Sequence, residues 1–208
     1  YVLASNIMIF LSAVAPSLYP VFSSKLQAKS YDSIRSIYRE YSRRVVILTA
    51  PVGVYLAVFN SHSLGVLYGS EFAAGGTPLA IMTIGRLTAV SLGPAKALNK
   101  SLGNTRQILI LNIVAFVVNV LLNILLIPVL GLTGAAIATV VSDVSIGVVL
   151  YVYARSAVGI RVPMVKILGA LGMAVLISIP FALIDTWVDS VGTLIVHSGL
   201  FAVVYFVG

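Results

Sequence analysis

Apolar segments long enough to cross a membrane alternate along this chain with short polar gaps. A transmembrane helix needs about 20 consecutive apolar residues, and the apolar runs approach this length without strand-like alternation. They lie at roughly 1–24, 43–60, 77–97, 106–127, 131–154, 163–184 and 191–208. A mean hydropathy of +1.09 with only 9% charged residues also excludes an ordinary soluble domain of 208 residues. The sequence therefore predicts an all-α polytopic membrane protein with about seven transmembrane helices.

The basic residues are confined to alternate gaps. Twelve of the 13 Lys and Arg residues lie in the first, third and fifth gaps, counting helix ends. The second, fourth and sixth gaps hold no basic residue but contain Glu71, Asp185 and Asp189. Because basic residues stay in the cytoplasm during insertion, we expect a multi-pass protein of the cytoplasmic membrane whose first helix runs inward. The same rule accounts for the net charge of +7, so membrane lipids rather than nucleic acid are the expected partners.

The first gap has the pattern of an amphipathic helix over residues 25–44. Apolar or aromatic residues recur there every three or four positions, at Tyr31, Ile34, Tyr38, Tyr41 and Val45. The pattern predicts a cytoplasmic helix that lies at the lipid headgroups and continues into the second span. Binding of a soluble partner is the alternative role for this segment.

No chemistry of an enzyme is visible in the sequence. The absence of cysteine excludes disulfides, thiol catalysis and Cys-based metal sites. Nucleotide-binding glycine loops, the HExxH motif and the nucleophile elbow are also missing. His62 and His197 have no evident second ligand, so no metal site or cofactor is expected. These observations favour a protein that is not an enzyme.

Arg86 is the one basic residue inside a predicted span. A charge at that depth costs several kcal/mol unless it faces a cavity or an opposite charge. Asp143, the one acid within a span, is a structural partner for it, or a site for a coupling H⁺ or Na⁺. Alternatively, Arg86 lines a polar cavity and binds an anionic substrate. The ion pair and the cavity are compatible.

Three asparagines share one face of the fourth span. Asn112, Asn119 and Asn123 are separated by seven and four residues, close to two turns and one turn. Amides in a membrane helix form interhelical hydrogen bonds or contact substrate, and both roles stay open here.

Prolines interrupt the first two spans. Pro16 and Pro20 in the first and Pro51 in the second remove helical hydrogen bonds, which kinks or unwinds a membrane helix. They are candidate hinges, with a simple packing kink as the alternative.

Four stretches in order carry a resemblance to a known family. They are residues 20–23 before the basic segment, the outer segment 67–72, the inner loop 97–105 and the glycine-rich turn with its flanking helices, 119–142. Together they resemble the Wzx-type polysaccharide flippases of the multidrug/oligosaccharidyl-lipid/polysaccharide (MOP) exporter superfamily, to which drug exporters of the MATE type also belong.

The resemblance implies the C-terminal half of a fourteen-helix transporter. Residues 1–154 would form five helices of the second transport lobe, and 155–208 two additional terminal helices. The N-terminal lobe would then be absent from this chain and act as its partner. Members of the family move lipid-linked sugars across the membrane by alternating access through a cationic cavity, often with an ion gradient. Arg86 is the residue best suited to that cavity.

Three functions therefore compete. The first is a flippase for lipid-linked oligosaccharide, with a lipid-linked glycan as substrate. The second is a MATE-like drug/cation antiporter, which would favour an acidic cavity residue such as Asp143 over Arg86. The third is a membrane assembly subunit without transport activity.

The topology can be tested by cysteine labelling because the chain has no cysteine of its own. In intact cells, cysteines at Ser70 and Ser190 should react with an impermeant thiol reagent. Cysteines at Ser36 and Ser101 should be protected, since they lie in basic gaps. Labelling at Ser36 with no reaction at Ser70 would invert the orientation.

Overall fold

The computed structural model describes residues 14–183 and 190–207. Within these ranges the chain forms nine α-helices and one 3₁₀ helix, and no strand occurs. The α-helices are α1 (Val14–Gln27), α2 (Tyr31–Val58), α3 (Asn60–Tyr68), α4 (Gly76–Leu92), α5 (Pro94–Ser101), α6 (Thr105–Leu130), α7 (Leu132–Val158), α8 (Met164–Leu183) and α9 (Val191–Val207). The 3₁₀ helix, Ser70–Gly75, joins α3 to α4. The predicted all-helical class is confirmed for the described residues.

Three of these helices are long and apolar enough to cross a membrane. They are α2, α6 and α7, with 28, 26 and 27 residues. Shorter apolar helical stretches occupy Lys166–Ala182 and Val191–Val207, and α4 has 17 residues. The count of seven spans stays a prediction. Most of the predicted first span, together with Asp185 and Asp189, lies outside the described residues.

The segment predicted as one amphipathic helix over 25–44 is divided between two helices. α1 ends at Gln27 and α2 begins at Tyr31, and Lys29 between them has a left-handed φ of 53°. The backbone N–H of Ser30 donates to the carbonyl of Lys25, which closes the end of α1. From Tyr31 onward the helix continues without a break to Val58, as the sequence indicated.

The predicted third span, 77–97, is also interrupted. It divides at Gly93 into α4 and α5, because Pro94 has no N–H to donate to a carbonyl of α4. Pro94 is then the first residue of α5, a position where its missing donor costs no hydrogen bond.

The long helices pack side by side in the order α6, α7, α4, α2 and α8. α9 packs on α8, α2 and α3. α1 and α5 pack together beside the C-terminal end of α7. A buried cluster around Phe22, Tyr38 and Leu98 fills that end, and a second one around Tyr55 and Phe201 joins α2 to α9. The sixth predicted span, α8, therefore contacts the other long helices through α2, and the seventh, α9, packs on α8, α2 and α3.

Small residues determine how closely these helices approach. A Cβ at Gly53 of α2 would lie 2.6 Å from a methyl carbon of Leu87 in α4. A Cβ at Gly85 of α4 would collide with the side chain of Val140 in α7. Where small residues let backbones approach closely, membrane helices gain van der Waals contact. The glycines therefore set the spacing of the three central helices.

We expect Gly85→Ala to lower stability by about 1–3 kcal/mol, because the added methyl group must displace Val140. The midpoint of thermal unfolding in detergent measures the effect, and Val140→Ala in the same protein should restore most of it. Gly172→Ala is the matched control, since nothing lies within 4 Å of a Cβ there. An unchanged midpoint for Gly85→Ala would show that this contact does not limit the packing.

Candidate functional site

Arg86 and Asp143 form an ion pair between α4 and α7. The guanidinium Nη1 of Arg86 donates to Oδ2 of Asp143 over 3.3 Å. Charge-assisted N–H···O bonds are commonly about 2.7–2.9 Å, so this is a loose pair. Of the two side chains, 27% and 43% of the surface is exposed. The structure therefore brings together the two charges that the sequence placed within predicted spans, without sealing them from their surroundings.

The pair depends on close contact between its two helices. Gly85, which precedes Arg86, lies against Val140, and Gly147 of α7 lies against Leu92. These contacts bracket the ion pair along both helices. The local sequence therefore gives each charge a small neighbour that lets the opposite helix approach.

The asparagines bond within their own helix. Asn112 is exposed and its Nδ2 donates to the carbonyl of Ile108 over 2.6 Å. Nδ2 of Asn123 donates to Oδ1 of Asn119 over 2.9 Å. Oδ1 of Asn123 is buried without a hydrogen-bond partner among the described residues. The hydrogen bonds described for these amides do not reach Arg86 or Asp143.

Asp143 lies on the same stripe of α7 as the buried Ala136 and Leu150, which are seven residues to either side of it. Val140 and Gly147 of α7 contact α4, whereas Gly134 contacts α6. Since each residue of a helix turns by about 100°, Asp143 lies beside the stripe that contacts α4 and about 180° from Gly134. Arg86, on α4, projects to the same side and meets it there.

The asparagines of α6 lie near the stripe of that helix that faces α7. α6 runs antiparallel to α7, and its most buried residue, Ala115, marks the stripe that faces α7. At about 100° per residue, the three amides lie beside that stripe. We group Arg86, Asp143, Asn112, Asn119 and Asn123 under the name polar face; the hydrogen bonds described within this group join Arg86 to Asp143 and Asn119 to Asn123.

The candidate hinges lie within continuous helices. Pro16 and Pro20 are exposed in α1, and Pro51 is buried in α2. Their role as hinges stays a prediction. No group of three or more His, Asp or Glu residues that could hold a metal ion occurs in the described part of the chain.

A polar pair that the sequence did not reveal joins α9 to α2. The hydroxyl of Tyr55 lies 2.9 Å from Nδ1 of His197. The imidazole sits among aromatic rings, with ring centres 5.2 Å from Phe59 and 5.0 Å from Phe181. Nε2 of His197 is buried without a hydrogen-bond partner in the described structure. Because 142 residues separate Tyr55 from His197, no local pattern indicated this contact.

A second contact that the sequence did not indicate lies at the C-terminal end of α7. Nε of Arg35 in α2 donates to the carbonyl of Val158, at the end of α7, over 2.7 Å. Its Nη1 also pairs with the exposed Asp32. A cation at a helix C-terminus satisfies a free carbonyl and complements the helix dipole. Arg35 therefore fixes α2 to the C-terminal end of α7. The basic residues in the gaps at this end predicted that it lies on the cytoplasmic side.

Comparison with known proteins finds one distant relative. The chain is 29% identical over 139 residues to a protein of Haloferax volcanii described as "Probable low-salt glycan biosynthesis flippase Agl15". The similarity covers 65% of this chain but only 29% of the relative's length. No protein-family model matches the chain, and no solved structure matches it. The chain is thus a helical membrane protein with distant similarity to a flippase, which is a transporter rather than an enzyme.

We predict that Tyr55→Phe destabilises the protein by about 1–3 kcal/mol, because it leaves Nδ1 of His197 buried without a partner. Combining it with His197→Phe should cost less than Tyr55→Phe alone, since both polar groups are then gone. Thermal unfolding of the two variants in detergent gives the comparison. A double variant that is less stable than Tyr55→Phe would contradict the prediction.

Proposed function

We propose that this chain is part of a flippase that moves lipid-linked oligosaccharide or polysaccharide precursors across the cytoplasmic membrane by alternating access. The observation that carries the proposal is the loose, partly exposed Arg86–Asp143 pair within apolar helices. Ionisable groups at such depth belong at substrate or ion pathways, because lipid gives them no favourable contact. The similarity to the Haloferax volcanii protein supports the same function.

Arg86 suits the anionic part of such a substrate. A lipid-linked sugar carries phosphate between the lipid and the glycan, and a guanidinium binds phosphate oxygens with parallel hydrogen bonds. Asn112, Asn119 and Asn123 add amide donors and acceptors on the same polar face, which suit sugar hydroxyls. In this proposal the polar face forms one wall of the substrate pathway.

The opposite wall must come from outside the described helices. A polar face cannot lie against lipid, so it requires water, substrate or another protein surface. We propose that a second lobe of the same transporter provides this surface. Na⁺ or H⁺ coupling through Asp143 and bending at Pro16, Pro20 and Pro51 are further parts of the proposal.

A drug/cation antiporter is the second candidate, and one observation favours it. The side chain of Asp143 is more exposed than that of Arg86, at 43% against 27%. An organic cation entering the polar face would therefore meet a carboxylate first. The two functions make opposite demands on the pair, since a cationic substrate needs Asp143 and an anionic one needs Arg86.

Substitutions of Arg86 separate these functions. In the protein that carries this chain, Arg86→Ala should abolish glycan export while abundance in the membrane stays near normal. Arg86→Lys should keep part of the activity, because charge outweighs fork geometry in a wet cavity. Glycan export and membrane abundance are measured on the same cells.

Other outcomes would indicate a structural role for Arg86 or an antiporter. If Arg86 is purely structural, Arg86→Ala should lower abundance, and a second substitution, Asp143→Asn, should restore it by removing the orphaned acid. An antiporter would lose transport with Asp143→Asn and keep it with Arg86→Ala. Full export by Arg86→Ala at normal abundance would refute both the binding role and the structural role of Arg86.

A further inference from the structure

The geometry of the ion pair indicates that it can open. Its 3.3 Å separation exceeds the usual length of a charge-assisted bond, and 43% of the Asp143 side chain is exposed. The packing of α4 against α7 is made by Gly85, Val140, Gly147 and Leu92, not by the charges. The carboxylate can therefore leave the guanidinium without disturbing the contact between the helices.

A cationic binding site has a difficulty when it is empty. A carrier that has released an anionic substrate must change conformation again with Arg86 still charged. An uncompensated charge in a medium of low dielectric costs several kcal/mol, which would oppose that return step. On the neighbouring helix α7, Asp143 is an acid that can offset the charge, and its Oδ2 lies 3.3 Å from Nη1 of Arg86.

We propose that Asp143 is an internal counter-ion that the substrate's phosphate displaces from Arg86, and that returns to Arg86 for the substrate-free step. The inference rests on the proposed flippase function. In both states Arg86 keeps one negative partner, and only hydrogen bonds are exchanged. Its N–H donors pass from the carboxylate oxygens to phosphate oxygens and back.

The surroundings of Asp143 fit this exchange. No other charged side chain lies on α6 between Arg106 and Leu130, or on α7 before Arg155. Because 43% of the Asp143 side chain is already exposed beside Arg86, displacement does not strand the carboxylate in a core. A phosphate offers several oxygens to the guanidinium fork, so it can replace a loosely held carboxylate.

Asp143 acts in two steps of the proposed cycle, the binding of substrate and the return of the empty carrier. Asp143 competes with substrate, so removing its charge should tighten anion binding. It also neutralises Arg86 in the empty carrier, so the same change should slow the return step. Exchange of substrate for substrate across the membrane never passes through the empty carrier, whereas net transport does in every cycle.

The test compares exchange with net transport in proteoliposomes. The protein that carries this chain is reconstituted with a labelled polyprenyl diphosphate-linked sugar, present in both leaflets or in one leaflet only. For Asp143→Asn we expect exchange within about twofold of wild type and net transport at least about tenfold slower. Binding of inorganic pyrophosphate to the purified variant should be about fivefold tighter or more, in the range typical of coupled sites.

Two control variants accompany the test. Asp143→Glu keeps the charge and should recover a substantial part of net transport. Ser145→Ala is the matched neutral control, because that serine is exposed on α7 and its hydroxyl bonds only the carbonyl of Val141 among described contacts. It should behave like wild type in both assays.

Each outcome decides the inference. Equal effects on exchange and net transport, or no effect on either, would overturn it. If wild type moves no lipid-linked sugar, the proposed function fails, and pyrophosphate binding then decides alone. Tighter binding by Asp143→Asn would keep Asp143 as a counter-ion to an anion of another kind, and unchanged binding would reject it.

Discussion

The membrane interior offers no water to polar groups, and the structure of this chain follows from that constraint. The described backbone is helical almost throughout, which satisfies N–H and C=O groups within each segment. Side-chain hydroxyls within the long helices bond back to the carbonyl four residues earlier, as at Thr49, Thr83, Thr139 and Ser142. Arg86 and Asp143 cannot be satisfied in this way. The constraint therefore singles them out as the groups that require a function or a partner.

Close packing between α4 and α7, and not the ion pair, holds these helices together. The ion pair forms because that packing places its two side chains near each other. A partly exposed pair contributes at most about 1 kcal/mol, and at 3.3 Å this one has poor geometry. The contacts of Gly85 with Val140 and of Gly147 with Leu92 are extensive van der Waals contacts, which drive association of helices in lipid. Because packing fixes the spacing, the charges remain free to exchange partners. The candidate site is thus loose, whereas the helix packing around it is tight.

Periodicity and hydropathy predicted the helical class and the approximate limits of most helices, because both depend on local sequence. The possibility of an Arg86–Asp143 pair also followed from the sequence, since two isolated charges in hydrocarbon have few alternatives. Local patterns did not predict features that depend on the backbone conformation of one residue or on a contact between distant segments. Lys29 adopts a left-handed conformation that ends α1, although Lys has no preference for it. The contact of Tyr55 with His197 requires α9 to return to α2, and nothing in either segment encodes that return.

The polar face contains hydrogen-bonding groups that the described helices do not fully satisfy. Asn119 and Asn123 bond each other, and this leaves Oδ1 of Asn123 buried without a partner in the described structure. Together with the exposed amide of Asn112 and the half-open Asp143, it makes a surface too polar for lipid and too incompletely bonded for a finished core. A surface opposite α4, α6 and α7 would complete these hydrogen bonds. The Haloferax volcanii relative has most of its length outside the segment similar to this chain, so in that protein there is ample chain to form such a surface. Under the proposed function, the transport pathway and the interface with such a surface are the same place, with Arg86 and Asp143 at its wall.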